Sequence, residues 1–261
     1  ITFLGTSDGL PSLDRGHSSI LVRLGGKQVL LDAGEPCSRT LLRMGEDPNH
    51  LDAVVISHTH SDHVGGLPML LQTMWLKQRS RVLPIWMPRH AIKPLRAWLN
   101  ACYLFDEMMP YRMDWRALSL RSVARIGPVR MRVFRTTHLE YARAQLSKKK
   151  AASASVGFDA YSVLLEAGGK RVAYSGDIGK PSELMLLCAK PVDVLIVELA
   201  HFDIDSLLDA LSLLDVKHVI ITHMGSRIKE NLRAVCAKLR SWSSCHPCTV
   251  TIAKDADVVQ I

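Results

Sequence analysis

The sequence predicts a chain of α/β (α+β) class in four layers, an αββα sandwich of two mixed sheets packed together with helices outside. Two observations lead there. The first third reads as short apolar runs separated by tight turns, and the second half again sets a hairpin before alternating strand and helix units. An apolar fraction of 48% in 261 residues is enough for a buried core. With no short-period repeat and no linker, one domain spanning 1–261 is expected.

Taken in order, residues 1–4 form a strand-like run, and residues 18–24 and 27–31 flank Gly25-Gly26 as the arms of a hairpin. Asp32-Ala33-Gly34 ends a strand, and residues 37–44 turn to a helical pattern. Residues 52–56 are a short buried-strand run that delivers the chain to Ser57-His58-Thr59-His60. After Gly65-Gly66, residues 67–75 are apolar enough for a packed helix. Further strands are expected at 82–87, 129–136, 160–166, 170–175, 192–198, 217–222 and 249–253, and helices at 92–102, 181–188, 205–214 and 229–239. The low-complexity stretch KKKAASAS, residues 148–155, reads as a mobile basic loop.

Composition excludes more than it identifies. No apolar run approaches the roughly 20 residues of a membrane-spanning helix, so no membrane partner is expected. The chain opens on a strand-like run without a charged leader, so no signal peptide is expected. Six scattered cysteines, with only Cys245 and Cys248 in a CxxC spacing, point to reduced thiols and a cytoplasmic protein. The formal charge of +8, with basic clusters at 79–81, 121–135 and 148–150, suits an anionic phosphodiester partner such as RNA, but equally a solvated surface.

The chemistry concentrates in Ser57-His58-Thr59-His60-Ser61-Asp62-His63, which places four ligand-type side chains within six positions. Alternation of His58 and His60 along an extended segment points both imidazoles one way, while Asp62 and His63 turn to a neighbouring point. Small intervening residues leave room for the loop to wrap around ions. A cluster of this size does not complete two sites alone, so further donors are expected at other strand ends. His138, Asp177 and His223 each follow an apolar run by a few residues, and Ser-Gly before Asp177 frees the backbone to present a carboxylate. Imidazole and carboxylate donors suit two divalent metals, zinc first, with manganese or iron also accommodated. Such a pair lowers the pKa of water toward about 7, which makes hydrolysis the expected chemistry.

The chain resembles the metallo-beta-lactamase fold, and within it the ribonuclease Z branch. Phe3-Leu4-Gly5-Thr6, Leu31-Asp32-Ala33-Gly34, HTHSDHVGGLP at 58–68, Tyr174-Ser175-Gly176-Asp177 and Thr222-His223-Met224-Gly225-Ser226-Arg227 carry the resemblance in order. It implies that His58, His60 and His138 hold one metal and Asp62, His63 and His223 the other, with Asp177 bridging. It also implies phosphate contacts from Ser226 and Arg227.

Two features depart from that branch. His201 stands 22 residues before His223, the spacing of the branch's His-Ser-Thr motif, but is followed by Phe202-Asp203. It is read as a proton donor to the leaving oxygen or a stabiliser of the transition-state charge, with Glu198 either orienting it or standing for the branch's Glu-Ala-Thr motif. Between His138 and Phe158 there is no room for the long arm with which ribonuclease Z enzymes grip transfer RNA. The expected function is a metal-dependent phosphodiesterase acting on RNA or a smaller diester, in which Asp62, His201 and Glu198 are catalytic. A lactone or thioester hydrolase of the same fold, or a non-catalytic nucleic-acid-binding module, are the alternatives. A homodimer is possible, with the apolar segment 67–76 either its interface or part of the monomer core.

Overall fold

A computed structural model describes residues 1–148 and 157–261. Six strands, β1 (Thr2–Gly5), β2 (Ser19–Leu24), β3 (Lys27–Leu31), β4 (Ala53–Val55), β5 (Leu83–Met87) and β6 (Met113–Ala117), form one sheet in chain order. Seven form the second: β7 (Ala124–Ile126), β8 (Val129–Thr136), β9 (Ala160–Ala167), β10 (Lys170–Tyr174), β11 (Val192–Leu199), β12 (Val216–Met224) and β13 (Thr249–Ile252), again with sequence neighbours side by side. Each sheet pairs antiparallel in its early strands and parallel in its later ones. Two-residue turns close the antiparallel pairs β2–β3, β7–β8 and β9–β10, longer segments join β1 to β2 and β8 to β9, and the parallel pairs need crossovers.

Three apolar cores separate four layers. On the first sheet, α1 (Cys37–Arg43), α3 (Leu67–Leu76) and α4 (Ile92–Ala101) bury Leu41, Leu70, Leu71 and Leu99 against Leu21 and Leu30. Between the sheets, Ile20, Val22, Val29 and Leu31 meet Val129, Met131 and Val133, with Val163 and Ile196. On the second sheet, α6 (Leu184–Leu187), α7 (Ile204–Leu211) and α9 (Leu232–Ser244) cover Leu164, Leu195 and Ile221. Adjacent residues such as Ile20 and Leu21 therefore enter different cores, which is why these strands read as continuous apolar runs. Each such side chain contributes about 1.5–3 kcal/mol by leaving water.

The expected elements are present, most with ends shifted by one or two residues; the helix expected at 205–214 ends at Leu211, and that expected at 181–188 is a 3-10 turn (Pro181–Glu183) followed by α6. The His-rich segment is not all loop, since a single turn, α2 (Ser61–Val64), starts directly after His60. The helix expected at 229–239 is two, α8 (Ser226–Glu230) and α9, broken at Asn231. Strands β6 and β7 and helix α5 (Glu140–Lys148) had no expectation. β6 and β7 are edge strands, short or carrying charges such as the Arg116–Asp114 pair, so burial imposes little pattern on them. The basic loop expected at 148–155 lies outside the described residues apart from Lys148 at the end of α5.

One member of the 79–81 cluster is not at the surface, whereas Arg81 is exposed. Arg79 is buried, its guanidinium donating to the carbonyls of Asn49, Leu51, Arg81 and Val82 at 2.9–3.1 Å. Within the 121–135 cluster, Arg132 faces Glu166, and Arg135 faces Asp159 and Glu140. Some of the basic side chains thus have local partners, while the excess of +8 stands. The 67–76 segment is mostly core, with Leu67, Leu70, Leu71 and Met74 buried and Met69 and Leu76 exposed. Among the described residues no helix is long and apolar enough to cross a membrane.

Candidate metal centre

The expected donors meet at one rim of the sandwich. Backbone bonds tie the two sheets there: Tyr161 N donates to Ser57 O at 3.1 Å, and His223 N donates to Thr6 O at 3.0 Å. His58 follows β4, and α2 then curls Asp62 and His63 back beneath it. His138 lies two residues past β8, Asp177 three past β10, and His223 within β12, which runs on to Met224. Gly176 permits the turn that presents Asp177: its φ is +53°, and a Cβ there would come within 2.8 Å of Tyr161 O.

Two donor sets result, and a third grouping of Asp177 with Glu198 and His201 lies alongside them. One atom each from His58, His60, His138 and Asp177 lie within 4.8 Å of one another, as do atoms from Asp62, His63 and His223. Asp177 stands between the sets. Its Oδ2 is 3.8 Å from His58 Nε2, 3.5 Å from His138 Nε2 and 3.4 Å from His223 Nε2, and its Oδ1 is 3.3 Å from His63 Nε2. Asp62 Oδ2 lies 3.5 Å from His63 Nε2 and 3.8 Å from His223 Nε2.

Partners behind the donors set which nitrogen faces inward. Asp32 Oδ2 takes His63 Nδ1 at 2.7 Å, Ser18 Oγ is 2.8 Å from His223 Nδ1, and Ser57 Oγ is 3.1 Å from His58 Nδ1. With Nδ1 engaged outward, each Nε2 turns to the centre. Asp32 is the hub: it also accepts from Ser57 N at 2.6 Å, Ser57 Oγ at 2.8 Å and Tyr174 Oη at 2.7 Å. That full set of donors is what keeps a completely buried carboxylate tolerable. Asp32 and His223 both adopt positive φ, +57° and +47°, unusual for residues with a Cβ and held here by surrounding contacts.

Asp32, Ser18, Ser57 and Tyr174 have supporting roles that sequence reasoning did not assign. A signal existed for Asp32, an acid placed directly after the buried run 29–31.

The electrostatics fit cations. Burial pushes His58 well below its ordinary value, helped by His63, and lowers His138 to about 4, so both favour the neutral, ligating form. Burial also works against a charged His63, but the Asp177 and Asp32 carboxylates outweigh it and hold the ring well above its ordinary value. Asp177 is held well below the usual carboxylate range because His223 and His63 overcome the burial that would raise it. His58 Nε2, His63 Nε2 and Asp177 Oδ1 are buried without a hydrogen-bond partner among the described residues. An unmet buried polar atom costs about 1–3 kcal/mol. Divalent cations held by these donors would satisfy all three, and the His and Asp donor chemistry fits such ions.

Beside the donors, Glu198 is buried at the end of β11 and accepts from Ile178 N at 2.8 Å, Ala200 N at 2.9 Å and His201 N at 3.2 Å. His201 Nδ1 lies 2.9 and 2.8 Å from its two oxygens, so Nε2 is the free end, 4.0 Å from Asp177 Oδ2. Burial depresses the His201 pKa, yet the bond and charge of Glu198 raise it above the ordinary value. Asp203, where a Ser-Thr motif would continue, caps α7 by accepting from Ser206 N at 2.9 Å. His201 and Ser226 line one cavity of about 740 Å³, together with Asp8 and Phe202. The Arg227 side chain lies outside the described residues.

A family model described as the beta-lactamase superfamily domain matches residues 27–224. The chain belongs to the beta-lactamase superfamily. Ribonuclease Z of Archaeoglobus fulgidus is 26% identical over 88% of this chain and 89% of its own length. Ribonuclease Z of Bradyrhizobium diazoefficiens is 46% identical, but over 33% of this chain, and the match spans only 28% of that relative. Among solved structures, the metallo-beta-lactamase fold protein YhfI of Bacillus subtilis superposes with a TM-score of 0.76 at 19% identity, covering 99% of this chain and 98% of that one. The short form of human tRNase Z does so at 0.73 and 19%, covering 100% and 98%. The two-sheet architecture expected from the sequence is thus that of the superfamily.

Proposed function

We propose that the protein is a dinuclear metal-dependent phosphodiesterase of ribonuclease Z type, acting on RNA or a smaller phosphodiester, with zinc as its resident metal. The observation that carries this reading is Asp177 set between two histidine groups, with the His201–Glu198 pair beside them and His201 lining a cavity. The Archaeoglobus relative named ribonuclease Z, matched over 88% of the chain, supports it.

When bound, two divalent ions supply Lewis-acid charge to a diester and bring the pKa of water toward about 7. The donors would divide as His58, His60 and His138 against Asp62, His63 and His223, with Asp177 shared. The remaining work falls to the chain's own groups. His201 is 35% exposed, which leaves it within reach of a substrate, and its Nε2 hands a proton to the departing oxygen. Glu198 keeps that ring charged and aimed. Asp62 accepts the proton of the attacking water. The Ser226 hydroxyl, at the start of α8 in the same cavity, and Arg227 beside it hold the phosphoryl oxygens. We place the protein in the cytoplasm on the strength of its scattered cysteines, all six of them unpaired.

The test is turnover of bis(p-nitrophenyl) phosphate and of unprocessed transfer RNA by zinc- or manganese-loaded protein, set against lactone and thioester substrates. Diester cleavage is expected. Turnover of lactones or thioesters alone would overturn the proposal.

A further inference from the structure

A second cavity, of about 390 Å³, is lined in part by the donor loop and shares none of its lining with the cavity at His201. Its size lies within the roughly 300–1,000 Å³ of small-molecule sites. Thr59 and Ser61, the residues on either side of His60, form one wall; Leu95 and Trp98 of α4, with His90 just before that helix, form another. Trp98 is 40% exposed, although the side chains on its own helix at 95 and 99 are buried.

The lining is mostly apolar, and its one imidazole is held in place. His90 Nδ1 lies 3.3 Å from Asp159 Oδ2, and Asp159 Oδ1 lies 3.4 Å from the Arg135 guanidinium, three residues before His138. A Cβ on Gly157 would come within 2.5 Å of His90 Nδ1, so that backbone lies flush against the ring. A carboxylate only accepts, which assigns the Nδ1 proton to His90 and leaves Nε2 an acceptor in the neutral ring. That Nε2 is buried and has no partner among the described residues.

An apolar slot with an exposed tryptophan and one unmet acceptor, next to a centre for anionic diesters, matches one part of a nucleotide. We propose that this cavity receives the base of the nucleotide flanking the scissile diester, and that it favours a base with an exocyclic amine, adenine, cytosine or guanine, over uracil. The proposal rests on the phosphodiesterase reading. Trp98 supplies the stacking surface and His90 Nε2 takes the amine proton. Both are specificity residues, outside the donor set.

Binding to the zinc-loaded protein tests this without turnover. Calorimetric titration compares adenosine 5′-monophosphate with ribose 5-phosphate, which keeps the phosphate and sugar but lacks the base. Wild type is expected to prefer the nucleotide by at least about fivefold, the low end of base–aromatic stacking. Trp98→Ala should remove that preference, and His90→Phe should reduce it by about threefold. Affinity for ribose 5-phosphate should stay unchanged in both, with thermal melts reporting that each variant is folded. Equal affinity of wild type for the two ligands overturns the proposal, as does a preference that survives both substitutions. A Trp98→Ala protein that changes oligomeric state while keeping the preference would assign the cavity to contact between copies of the chain. Failure of diester turnover with the base preference intact would count against the catalytic reading alone.

Discussion

The two sheets furnish the centre in different ways. From the first, one segment of six residues brings His58, His60, Asp62 and His63 on a strand end and a single helical turn, steadied by Asp32 behind them. From the second, three separate strands contribute one donor each, His138, Asp177 and His223, and their spacing is set by sheet register. The contrast teaches that local wrapping places several donors at once but relies on a buried support, whereas dispersed donors draw their precision from the hydrogen-bonded ladder. Asp177 belongs to the dispersed group and contacts members of both.

The largest expected effect tests that shared position. Asp177→Ala should strip both ions and abolish turnover, whereas His63→Ala should lose one ion and nearly all activity; metal analysis showing one ion at full occupancy in Asp177→Ala would break the comparison. Next comes His201→Ala, expected to retain both ions and slow the chemical step by roughly a hundredfold. Equal metal loss in His201→Ala and His63→Ala would show that His201 is a ligand instead. Asp32→Asn probes the local support. Loss of its charge behind His63 should weaken metal binding by about 10- to 100-fold, read by competition with a chelator. An unchanged affinity would mean the wrapped loop holds its shape without Asp32.

The smallest effect is a shift in pH dependence. Glu198 raises the His201 pKa, so the protonated donor persists further up the pH scale and is lost as pH rises through that raised value. In Glu198→Gln the pKa falls, and the alkaline limb of the kcat/KM profile should move to lower pH. A limb that stays in place would assign it to another group.

The two donor groups were not equally legible in the sequence. HTHSDH is visible because four ligand types crowd a short window, and the single donors were found only by asking which His and Asp follow apolar runs. The supporting residues were harder to see. Ser18, Ser57 and Tyr174 are ordinary polar residues whose purpose depends on what the fold sets against them, as when Tyr174 Oη reaches Asp32 across 142 positions. In the fold itself, strands buried on both faces showed as apolar runs, whereas β6 and β7 at the sheet edges did not, because one open flank relaxes the demand for apolar residues. Helix α5 carries a mixture of charged and apolar residues over an exposed face and left no clear period to read.

The ties at the rim, Tyr161 N to Ser57 O and His223 N to Thr6 O, join the halves of the sandwich where the donors meet. Ions held by donors from both halves would act as a clasp, so that their binding energy would also resist separation of the sheets. Chelated protein should therefore melt at lower temperature and exchange amide hydrogens faster at this rim, with both halves loosening together.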